Sequence, residues 1–499
     1  MIRRFWAVLT AFVLCFACAA AGAEAAAVTE AIPAEVYQVE PALNNPSPSP
    51  EAQALMDWMC GIYGRKIISG QYLDEYQYGK ELEAVASVTG GLYPALVGMD
   101  LLNYSPSAVS LGSWPTSVDQ AIGYWKKGYV VTFCWHWIAP ERYLDTTGNA
   151  WWSGYRTEST TFRLDKVLSG EDPEGLADLE RDLDAIAKQL TRLRDAGVPV
   201  LWRPLHEASG GWFWWGASGP EAYIQLYRMM YEKFTGEYGL NNLIWVWNGQ
   251  DKAWYPGDDV VDIIGEDVYP GKNVHEAQEK AFRRCLDYTD ARKLIMLSEC
   301  GCVPSPVRCE KDGVMWSAWA VWCYEFVLEN GKYSEQYTSA ERMQLFYGQE
   351  NVVTLKDVPA LGRTAEEAAE QPAAEETPDN VYRFADGELL GNVRTVPLEG
   401  KDWVELASNE ETDGVTVTIS VPEDGIYDLV IRQAGIGGYK ENYLAVDGER
   451  IANTVVQGTD IEDCVTPGVS LTAGEHTVTV TCFWGWANLD SLTVVPSGK

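Results

Sequence analysis

Short apolar runs alternate with helical stretches between residues 50 and 357 of the chain. One stretch is a clear amphipathic helix, because leucines and an isoleucine recur every three or four positions from Leu176 to Leu193 and Gly197 follows as a stop signal. The eight apolar runs lie at residues 66–71, 95–100, 129–137, 198–207, 242–248, 261–269, 293–300 and 315–322. Eight strands separated by helices in roughly 300 residues predict a closed (β/α)₈ TIM barrel. An open doubly wound sheet is the alternative, but no glycine-rich phosphate loop follows the first run.

The residues that close these runs are polar or aromatic almost without exception. They are Gln71, Asp100, His136, Trp137, His206, Glu207, Trp247, Asn248, Tyr269, Glu299 and Trp322. In a barrel of this kind the active site is built at the C-terminal ends of the strands. The sequence therefore predicts that these side chains meet at one face and carry the chemistry.

The last part of the chain has a different pattern. Residues 415–421 and 476–481 alternate apolar with polar side chains at a period of two, which is typical of half-buried antiparallel strands. Residues 362–380 are rich in Ala, Glu and Pro and form a predicted linker. We therefore predict a catalytic barrel over residues 50–361 and an all-β sandwich of jelly-roll type over residues 381–497.

The N-terminus is predicted to be a signal peptide that ends near Ala23. Basic residues at positions 3 and 4 precede an apolar stretch, and small residues at 21–23 offer a cleavage site. The mature chain would begin at Glu24 with an extension over residues 24–49, and the protein would be secreted. A transmembrane anchor is disfavoured by the shortness of the apolar stretch, and lipidation of Cys18 by the residues before it.

Composition and charge limit the classes of molecule that the protein is expected to bind. The chain has 499 residues, 46% of them hydrophobic, and a formal net charge of −34, which disfavours nucleic acids and anionic membranes but not a neutral polysaccharide. We expect a monomer that does not insert into membranes. Eleven cysteines, two of them in the leader, leave an odd number. Candidate disulfides are Cys302–Cys309 and Cys464–Cys482, whereas Cys134 and Cys323 are expected to be buried thiols, and a structural zinc site is not indicated.

The strongest chemical signal is the segment LWRPLHEASGGWFWWG at residues 201–216. It places Glu207 at the end of a buried strand, beside His206 and among Trp212, Trp214 and Trp215. Such surroundings remove water from a carboxylate and raise its pKa, which is how a general acid is made. Aromatic faces also stack on sugar rings, so the pattern indicates a polysaccharide-binding cleft. A core strand followed by an aromatic surface turn is the alternative.

A second carboxylate, Glu299, closes the seventh run after mostly apolar residues. Burial of a carboxylate costs free energy, so such a group is expected to have a compensating partner or a catalytic function. A retaining glycoside hydrolase uses two such groups roughly 5 to 5.5 Å apart, one as acid and one as nucleophile. In that reading His206 holds Glu299 or a sugar hydroxyl, and Tyr269 donates a hydrogen bond to the nucleophile. The alternative for Glu299 is a structural ion pair with Arg203.

Several motifs together resemble glycoside hydrolase family 26, most closely its endo-β-1,4-mannanases. They are residues 201–216, ISGQ at 68–71, WVWNGQD at 245–251, DVYPG at 267–271 and SEC at 298–300, and the resemblance covers residues 50–357. It implies that Glu207 is the acid/base and Glu299 the nucleophile, with no catalytic cofactor. It also implies sugar contacts in subsite −1 from His136, His206, Tyr269 and Trp322. Trp137, Trp212, Trp215 and Trp254 complete the predicted substrate-binding set.

The C-terminal segment resembles carbohydrate-binding modules of family 35 or family 6. The resemblance lies in residues 425–435, 473–480 and 488–494. It implies glycan contacts from Tyr439, Trp484, Trp486 and Asn488. Modules of this type also imply a structural calcium ion, for which Glu388 and Asp490 are the candidate ligands.

These observations predict a secreted, retaining endo-β-1,4-mannanase that cleaves mannan, glucomannan or galactomannan. Mixed-linkage β-glucan or xylan is the alternative substrate for the same fold and chemistry. A carbohydrate-binding protein without activity is the alternative from another class, which the presence of both glutamates disfavours. The C-terminal module is expected to fold alone and to act by tethering the barrel to its substrate.

Overall fold

The computed structural model describes residues 31–363, 380–398, 401–408, 410–458 and 461–497. The predicted signal peptide and its cleavage site lie outside these residues, and so does most of the predicted linker. The described part of the chain forms two folded units, a mixed α/β domain followed by an all-β domain.

Eight parallel strands form a closed barrel in the first unit, which confirms the predicted fold. Seven strands lie inside their apolar runs, and the first extends one residue beyond its run; nearly all of the strand residues are buried because helices and loops cover the barrel. The strands are β1 (Gly70–Tyr72), β2 (Leu96–Asp100), β3 (Val130–Cys134), β4 (Val200–Arg203), β5 (Leu243–Trp247), β6 (Ile263–Val268), β7 (Leu294–Cys300) and β8 (Trp319–Val321).

The fourth strand ends earlier than its apolar run. It stops at Arg203, because Pro204 has no N–H for the ladder and the next residues turn sharply. Leu205 and Glu207 both adopt left-handed backbone conformations, each with a φ of 53°. The Glu207 N–H then donates to the backbone oxygen of Asn248 at 2.7 Å. The predicted strand over 198–207 is therefore a short strand followed by a strained turn, a feature that clusters at functional sites.

Ten α-helices surround the barrel in the described residues. They are α1 (Pro50–Ile62), α2 (Lys80–Thr89), α3 (Pro106–Ser110), α4 (Ser117–Lys126), α5 (Leu164–Leu168), α6 (Pro173–Asp195), α7 (Pro220–Tyr231), α8 (Glu279–Leu286), α9 (Pro306–Asp312) and α10 (Ala340–Tyr347). Helix α6 is the predicted amphipathic helix, and the Asp172 side chain caps it by accepting from the Gly175 N–H at 2.9 Å. Within the described ranges, every helix is too short or too polar to cross a membrane.

Segments on either side of the barrel are attached to it. In the N-terminal extension, the Asn44 N–H donates to Asp262 Oδ1 at 2.7 Å, and the Tyr37 hydroxyl donates to the Gly313 carbonyl. After the barrel, the Arg363 guanidinium lies 4.4 Å from the Trp125 ring and donates to the Trp125 carbonyl at 2.8 Å. The extension and the first residues of the predicted linker therefore belong to the packed domain.

The second unit is an antiparallel all-β domain, as predicted. Its strands are β9 (Val381–Arg383), β10 (Glu388–Leu390), β11 (Arg394–Leu398), β12 (Lys401–Leu406), β13 (Gly414–Val421), β14 (Gly425–Val446), β15 (Glu449–Val456), β16 (Ile461–Leu471) and β17 (Gly474–Pro496). The two sequence segments with a period of two lie in β13 and β17, which pair along their length. Their buried side chains, including Val417, Ile419 and Val480, build a separate apolar core.

The two candidate disulfides are wrong. All nine cysteines in the described part of the chain are free thiols. Cys464 Sγ accepts from the Val455 N–H at 3.3 Å, and Cys482 is a buried thiol in β17. Cys302 instead donates to the backbone oxygen of Gly271 at 3.0 Å, and Cys309 is buried in α9. Cys134 and Cys323 are buried thiols, as expected.

Candidate active site

Three carboxylates meet at the C-terminal end of the barrel. One oxygen from each of Glu207, Asp267 and Glu299 can be chosen so that all three lie within 4.8 Å of one another. These residues follow β4, lie in β6 and lie in β7, so three different strands supply them. Three carboxylates so close cannot all carry a full charge without compensation, and the surrounding groups decide which of them ionises.

Glu299 is held by two hydrogen-bond donors. Arg203 forms an ion pair with its Oε1, and the Tyr269 hydroxyl donates to its Oε2 at 2.6 Å. The side chain is almost fully enclosed, since Glu299 is only 4% exposed. The ion pair that the alternative reading expected is thus present, together with the predicted Tyr269 contact. Both donors fix the orientation of the carboxylate, as a nucleophile requires.

Arg203 supplies the positive charge that compensates this cluster. It is fully buried, and it donates to Asp267 at 2.8 Å and to the Tyr72 hydroxyl at 3.1 Å. Despite this burial, the neighbouring negative groups, Asp267 foremost, keep the pKa of Arg203 well above its ordinary value. A permanently charged guanidinium between two carboxylates is stable only when all its partners are present.

Asp267 is the most enclosed of the three carboxylates. It accepts hydrogen bonds from the Ser298 hydroxyl at 2.7 Å and from the Asn248 amide at 2.9 Å. Burial raises the pKa of Asp267 to about 7, although the Arg203 charge opposes this shift. Asn248 also accepts from the Glu207 N–H through its side-chain oxygen at 3.0 Å. Asn248 therefore links the turn after β4 to the carboxylate in β6.

Glu207 has the surroundings of a general acid. Burial raises the pKa of Glu207 well above its ordinary value, and the negative charges of Asp267 and Glu299 raise it further. The indole N–H of Trp212 donates to its Oε2 at 2.8 Å and opposes the shift. A carboxyl group whose surroundings favour the protonated form, next to one that is paired with an arginine, is the arrangement that separates an acid from a nucleophile.

Two histidines and an aspartate form a hydrogen-bonded row beside this cluster. His136 Nδ1 lies 2.5 Å from Asp100 Oδ2, and His206 Nε2 lies 3.1 Å from His136 Nε2. The Nδ1–H of His136 can donate to Asp100, and one of the two Nε2 atoms then donates to the other. Burial, with the Arg203 charge, lowers the pKa of His206 well below its ordinary value, so His206 is neutral.

The row corrects the predicted role of His206. The residue is buried, and its ring meets His136 instead of Glu299. Of the two rings, only that of His136 is partly exposed to the cleft. Asp100, which was singled out only as a strand-closing residue, turns out to fix the His136 ring from the other side.

Four of the predicted aromatic contacts lie where a sugar could reach them. Trp212 is 49% exposed and Tyr269 is 38% exposed, and Trp322 and Trp254 are partly exposed. The ring centroid of Trp322 lies 4.8 Å from that of Tyr72, whose hydroxyl receives hydrogen bonds from Arg203. Trp212, Tyr269 and Trp322 lie around the two glutamates and form the wall of the cleft, whereas the Trp254 ring packs against Tyr223 of α7.

Trp137 and Trp215 do not belong to this wall. Both are fully buried, so neither ring can meet a sugar face. Trp215 donates to the His206 carbonyl at 2.9 Å, and Trp137 donates to Asp182 at 2.9 Å. Trp215 therefore supports the turn after β4, and Trp137 connects the barrel to helix α6. Of the three tryptophans that follow Glu207 in the sequence, only Trp212 contacts its carboxylate.

Gly210 allows Trp212 to reach Glu207. A Cβ atom at Gly210 would lie 2.1 Å from the Trp212 ring, far inside contact distance. The ring therefore folds back over the glycine, and its N–H points to the carboxylate. A residue without a Cβ atom at position 210 is therefore required for this close approach.

Sequence reasoning missed several residues that hold this site together. Asp100 and Asn248 were noted only as residues that close strands, and Asp267 only as part of a motif. Their polar character at the end of an apolar run was the available signal. Tyr72 and Ser298 gave no signal of their own, because a tyrosine and a serine near a strand end are common in any barrel.

The predicted glycan contacts of the C-terminal module fall into two places. Trp484 is 60% exposed and Tyr439 is 40% exposed, with their ring centroids 5.9 Å apart. Trp486 instead lies edge to face against Trp114 of the barrel domain. Asn488 is only 7% exposed within β17, which leaves little of it for a glycan. Trp484 and Tyr439 are therefore the accessible pair.

The surroundings of Asp490 do not fit the predicted calcium site. Its carboxylate lies 3.4 Å from Arg383 and 3.6 Å from Arg432, two positive groups that compete with a cation. Neither Glu388 nor Asp490 belongs to a group of three potential metal ligands in the described ranges. The arginines account for the charge of Asp490 without an ion.

Comparisons with known proteins agree with both units. The protein-family model for glycosyl hydrolase family 26 matches residues 44–354, and the one for carbohydrate binding module (family 35) matches residues 399–497. Mannan endo-1,4-beta-mannosidase of Thermothelomyces thermophilus is 41% identical over 333 residues, 66% of this chain and 66% of that protein. Mannan endo-1,4-beta-mannosidase A of Piromyces sp is 31% identical over 333 residues, 65% of this chain and 52% of that protein. The chain thus spans between about half and two thirds of the length of these relatives.

Solved structures give the same picture. The GH26-CBM35 beta-(1,4)-mannanase of Podospora anserina is 40% identical, with a TM-score of 0.60 over 65% of this chain and 70% of that chain. A beta-mannanase from a symbiotic protist of the termite Reticulitermes speratus, complexed with gluco-manno-oligosaccharide, is 35% identical, with a TM-score of 0.57 over 64% of this chain and 98% of that chain.

Proposed function

The chain belongs to glycosyl hydrolase family 26, and from this premise we propose that it is an endo-β-1,4-mannanase that acts with retention of configuration. Its substrates would be mannan, glucomannan or galactomannan. The observation that carries the proposal is the close approach of two carboxyl groups in different surroundings. Burial raises the pKa of Glu207, and Glu299 is held by Arg203 and Tyr269. Its relatives are named for mannan endo-1,4-beta-mannosidase activity, which supports the choice of substrate.

In the first step, Glu299 attacks the anomeric carbon of the sugar in subsite −1. As the new C–O bond forms, the glycosidic bond breaks, and the Glu207 proton passes to the departing oxygen. Arg203 and Tyr269 orient the attacking carboxylate, since each bonds to one of its oxygens. The raised pKa of Glu207 supports its role as the donor, because burial and the neighbouring carboxylates favour its protonated form.

In the second step, Glu207 takes a proton from water, and that water attacks the same carbon. The bond to Glu299 breaks, and both carboxyl groups return to their starting states. Inverting enzymes leave roughly 6.5 to 9.5 Å between their carboxyl groups to hold a water molecule. The separation of at most 4.8 Å between oxygens of Glu207 and Glu299 supports the retaining route.

The wall of the cleft supports binding of a sugar chain. His136 and Trp322 flank the nucleophile side, with ring centroids 5.8 Å apart, and Trp212 lies beside the acid. Half-exposed rings next to charged groups fit a ligand with apolar faces and polar edges. In this proposal no catalytic cofactor is needed, the enzyme is a secreted monomer, and the C-terminal module binds the same polysaccharide.

Proton NMR of the first-formed product tests the mechanism. We expect reducing ends in the β configuration, because two inversions restore the original one. An initial α product would mean that water attacks directly and that Glu299 is not the nucleophile. Reducing-sugar release from mannan, lichenan and xylan, measured in parallel, tests the substrate. Faster release from lichenan or xylan than from mannan would overturn the mannanase assignment.

A further inference from the structure

The C-terminal module contacts the barrel domain directly. The Tyr78 hydroxyl, which follows β1, donates to Glu405 Oε2 at 2.5 Å. The Arg394 guanidinium lies 4.6 Å from the Tyr78 ring centroid and pairs with Glu405 at 2.8 Å. Because Glu405 is buried and both of its partners are present, this contact has the fully satisfied polar centre of a specific interface.

An apolar cluster surrounds this polar centre. Val396, Trp403 and Ala434 of the module are buried, and Tyr78 of the barrel domain packs against the same cluster. An interface with a desolvated core and paired charges holds two domains in one arrangement. The structure therefore differs from the expectation of a module that acts only by flexible tethering, because a tether needs no contact with the barrel.

The interface lies on the catalytic face. Tyr78 comes between β1 and α2, and Trp114 comes between β2 and α4, so both belong to loops at the C-terminal ends of strands. Glu75 joins these loops, because its carboxylate accepts from the Asn103 amide at 2.6 Å and from the Ser117 N–H at 2.8 Å. The first of the loops starts beside Tyr72, which contacts Arg203 in the cleft.

A row of three aromatic rings crosses from the barrel domain to the module. The ring centroids of Tyr76 and Trp114 are 5.6 Å apart, and those of Trp114 and Trp486 are 5.8 Å apart with an angle of 89° between the rings. All three residues are partly exposed. In an edge-to-face pair, one ring presents only its edge to the other, so both of its faces stay uncovered by that partner.

We propose that Trp114 and Trp486 form a glycan-binding site shared by the two domains, which takes a β-1,4-linked hexose chain that extends out of the catalytic cleft. The chemistry of that ligand rests on the proposed function. The shared site is separate from the exposed Trp484 and Tyr439 pair, because the latter rings contact no residue of the barrel domain among the described ring contacts. A module docked in this way would add sugar contacts beyond the catalytic cleft, and only long chains would reach them.

The test uses the full chain with Glu299→Gln, which binds substrate without turning it over. Affinities are measured by titration calorimetry with a short manno-oligosaccharide and with soluble mannan. We expect Trp114→Ala to weaken mannan binding about five- to tenfold, as loss of one stacked ring predicts, and to leave the short ligand unchanged. Trp114→Phe should restore most of the affinity, since it keeps an aromatic face.

A double-mutant cycle separates a shared site from two independent ones. Trp114→Ala and Trp486→Ala should be non-additive for mannan, because each removes one half of the same site. Trp484→Ala is the matched control, and its effect should add to that of Trp114→Ala. Unchanged mannan affinity in Trp114→Ala, or full additivity with Trp486→Ala, would overturn the shared site.

Undocking gives a second, independent measurement. Tyr78→Asp places a carboxylate against Glu405, so small-angle scattering should show a larger radius of gyration, and mannan affinity should fall as in Trp114→Ala. An unchanged radius, or an undocked chain with full mannan affinity, would contradict the proposal. Failure of the proposed function has a different signature, because the chain with Glu299 intact would then release no sugar from either mannan or the short oligosaccharide.

Discussion

The catalytic cleft and the surface of the C-terminal module differ in how far their charged groups and aromatic rings are exposed to water. In the cleft, Glu207, Asp267 and Arg203 are enclosed, and the pKa values of both carboxyl groups are raised. On the module surface, the pKa of Asp428, which accepts from Ser497 and the Gly468 N–H, is lowered. Burial dominates the first region, and hydrogen bonds to the ionised form dominate the second.

The difference shows what each task demands. A reaction that transfers a proton at neutral pH needs a carboxyl group whose pKa is raised, and in this cleft burial is the largest cause of the rise. Recognition of a sugar face needs rings that remain accessible, as Trp484 is. The following predictions test this contrast, from the largest expected effect to the smallest.

Replacement of Glu299 should abolish hydrolysis, whereas replacement of Glu207 should impair it to an extent that depends on the leaving group. Glu299→Ala should lower kcat on every substrate by a factor on the order of 10⁴ or more, because no covalent route remains. Glu207→Ala should retain measurable activity on an aryl glycoside whose leaving group needs no protonation. Circular dichroism must show both variants folded. Equal losses on the activated substrate would contradict the assignment of roles.

Removal of a buried arginine should cost far more stability than removal of a surface one. Arg203→Met leaves Asp267 and Glu299 without their shared partner, so we expect the free energy of unfolding to fall by about 3 to 5 kcal/mol. Arg432→Met in the module is the matched control and should cost at most about 1 kcal/mol, since the Arg432 side chain is exposed and Asp490, its buried partner, keeps Arg383.

Denaturant titration of each domain transition measures both variants. The contrast between the regions would fail if Arg432→Met cost as much as Arg203→Met. A nearly neutral Arg203→Met would mean that the two carboxylates take up protons without penalty, which their proposed roles do not allow.

The pH dependence should respond to Trp212. Its N–H stabilises the ionised form of Glu207, so Trp212→Phe should raise the Glu207 pKa further. Activity requires the protonated acid and is lost as the pH rises through that pKa, so the alkaline limb of kcat should move to higher pH. Trp484→Phe in the module is the matched control and should leave the profile unchanged. A shift of the alkaline limb to lower pH would contradict the role of the indole.

The smallest effect should come from the ion pair between His476 and Asp447, whose atoms lie 2.6 Å apart on the module. The pKa of His476 is raised by the Asp447 carboxylate, and the pKa of Asp447 is lowered by His476. The histidine contribution is present below an unfolded pKa of about 6.5 and is lost as the pH rises through the raised folded value. The aspartate contribution is present above about pH 3.9 and is lost as the pH falls through the lowered folded value.

His476→Asn should therefore destabilise the module at about pH 5.5 but not at about pH 9. The expected difference is below about 1 kcal/mol, because water and salt screen an exposed pair. Thermal unfolding at low and at high salt measures it. An effect that is larger at the alkaline pH would contradict the sign of the His476 shift.

The candidate site was only partly predictable from the chain. Glu207 and Glu299 could be singled out because each ends an apolar run, a position that costs free energy unless the group has a partner or a task. The same logic failed for Trp137 and Trp215, which also end or follow such runs. Whether a tryptophan there faces the cleft or the core depends on the turn after β4, and two left-handed residues in that turn left no mark in the hydrophobic pattern.

The amino-acid sequence by itself determined the barrel, the all-β module and the strand ends at which the catalytic face is built. These features follow from the period of hydrophobic residues and from the order of strands and helices, which are local properties of the chain. Only the tertiary structure decided that His206 meets His136, that Cys464 and Cys482 stay apart, and that Trp486 packs on Trp114. Burial and partnership arise when distant segments exclude water from between them, and no local pattern records which segments those will be.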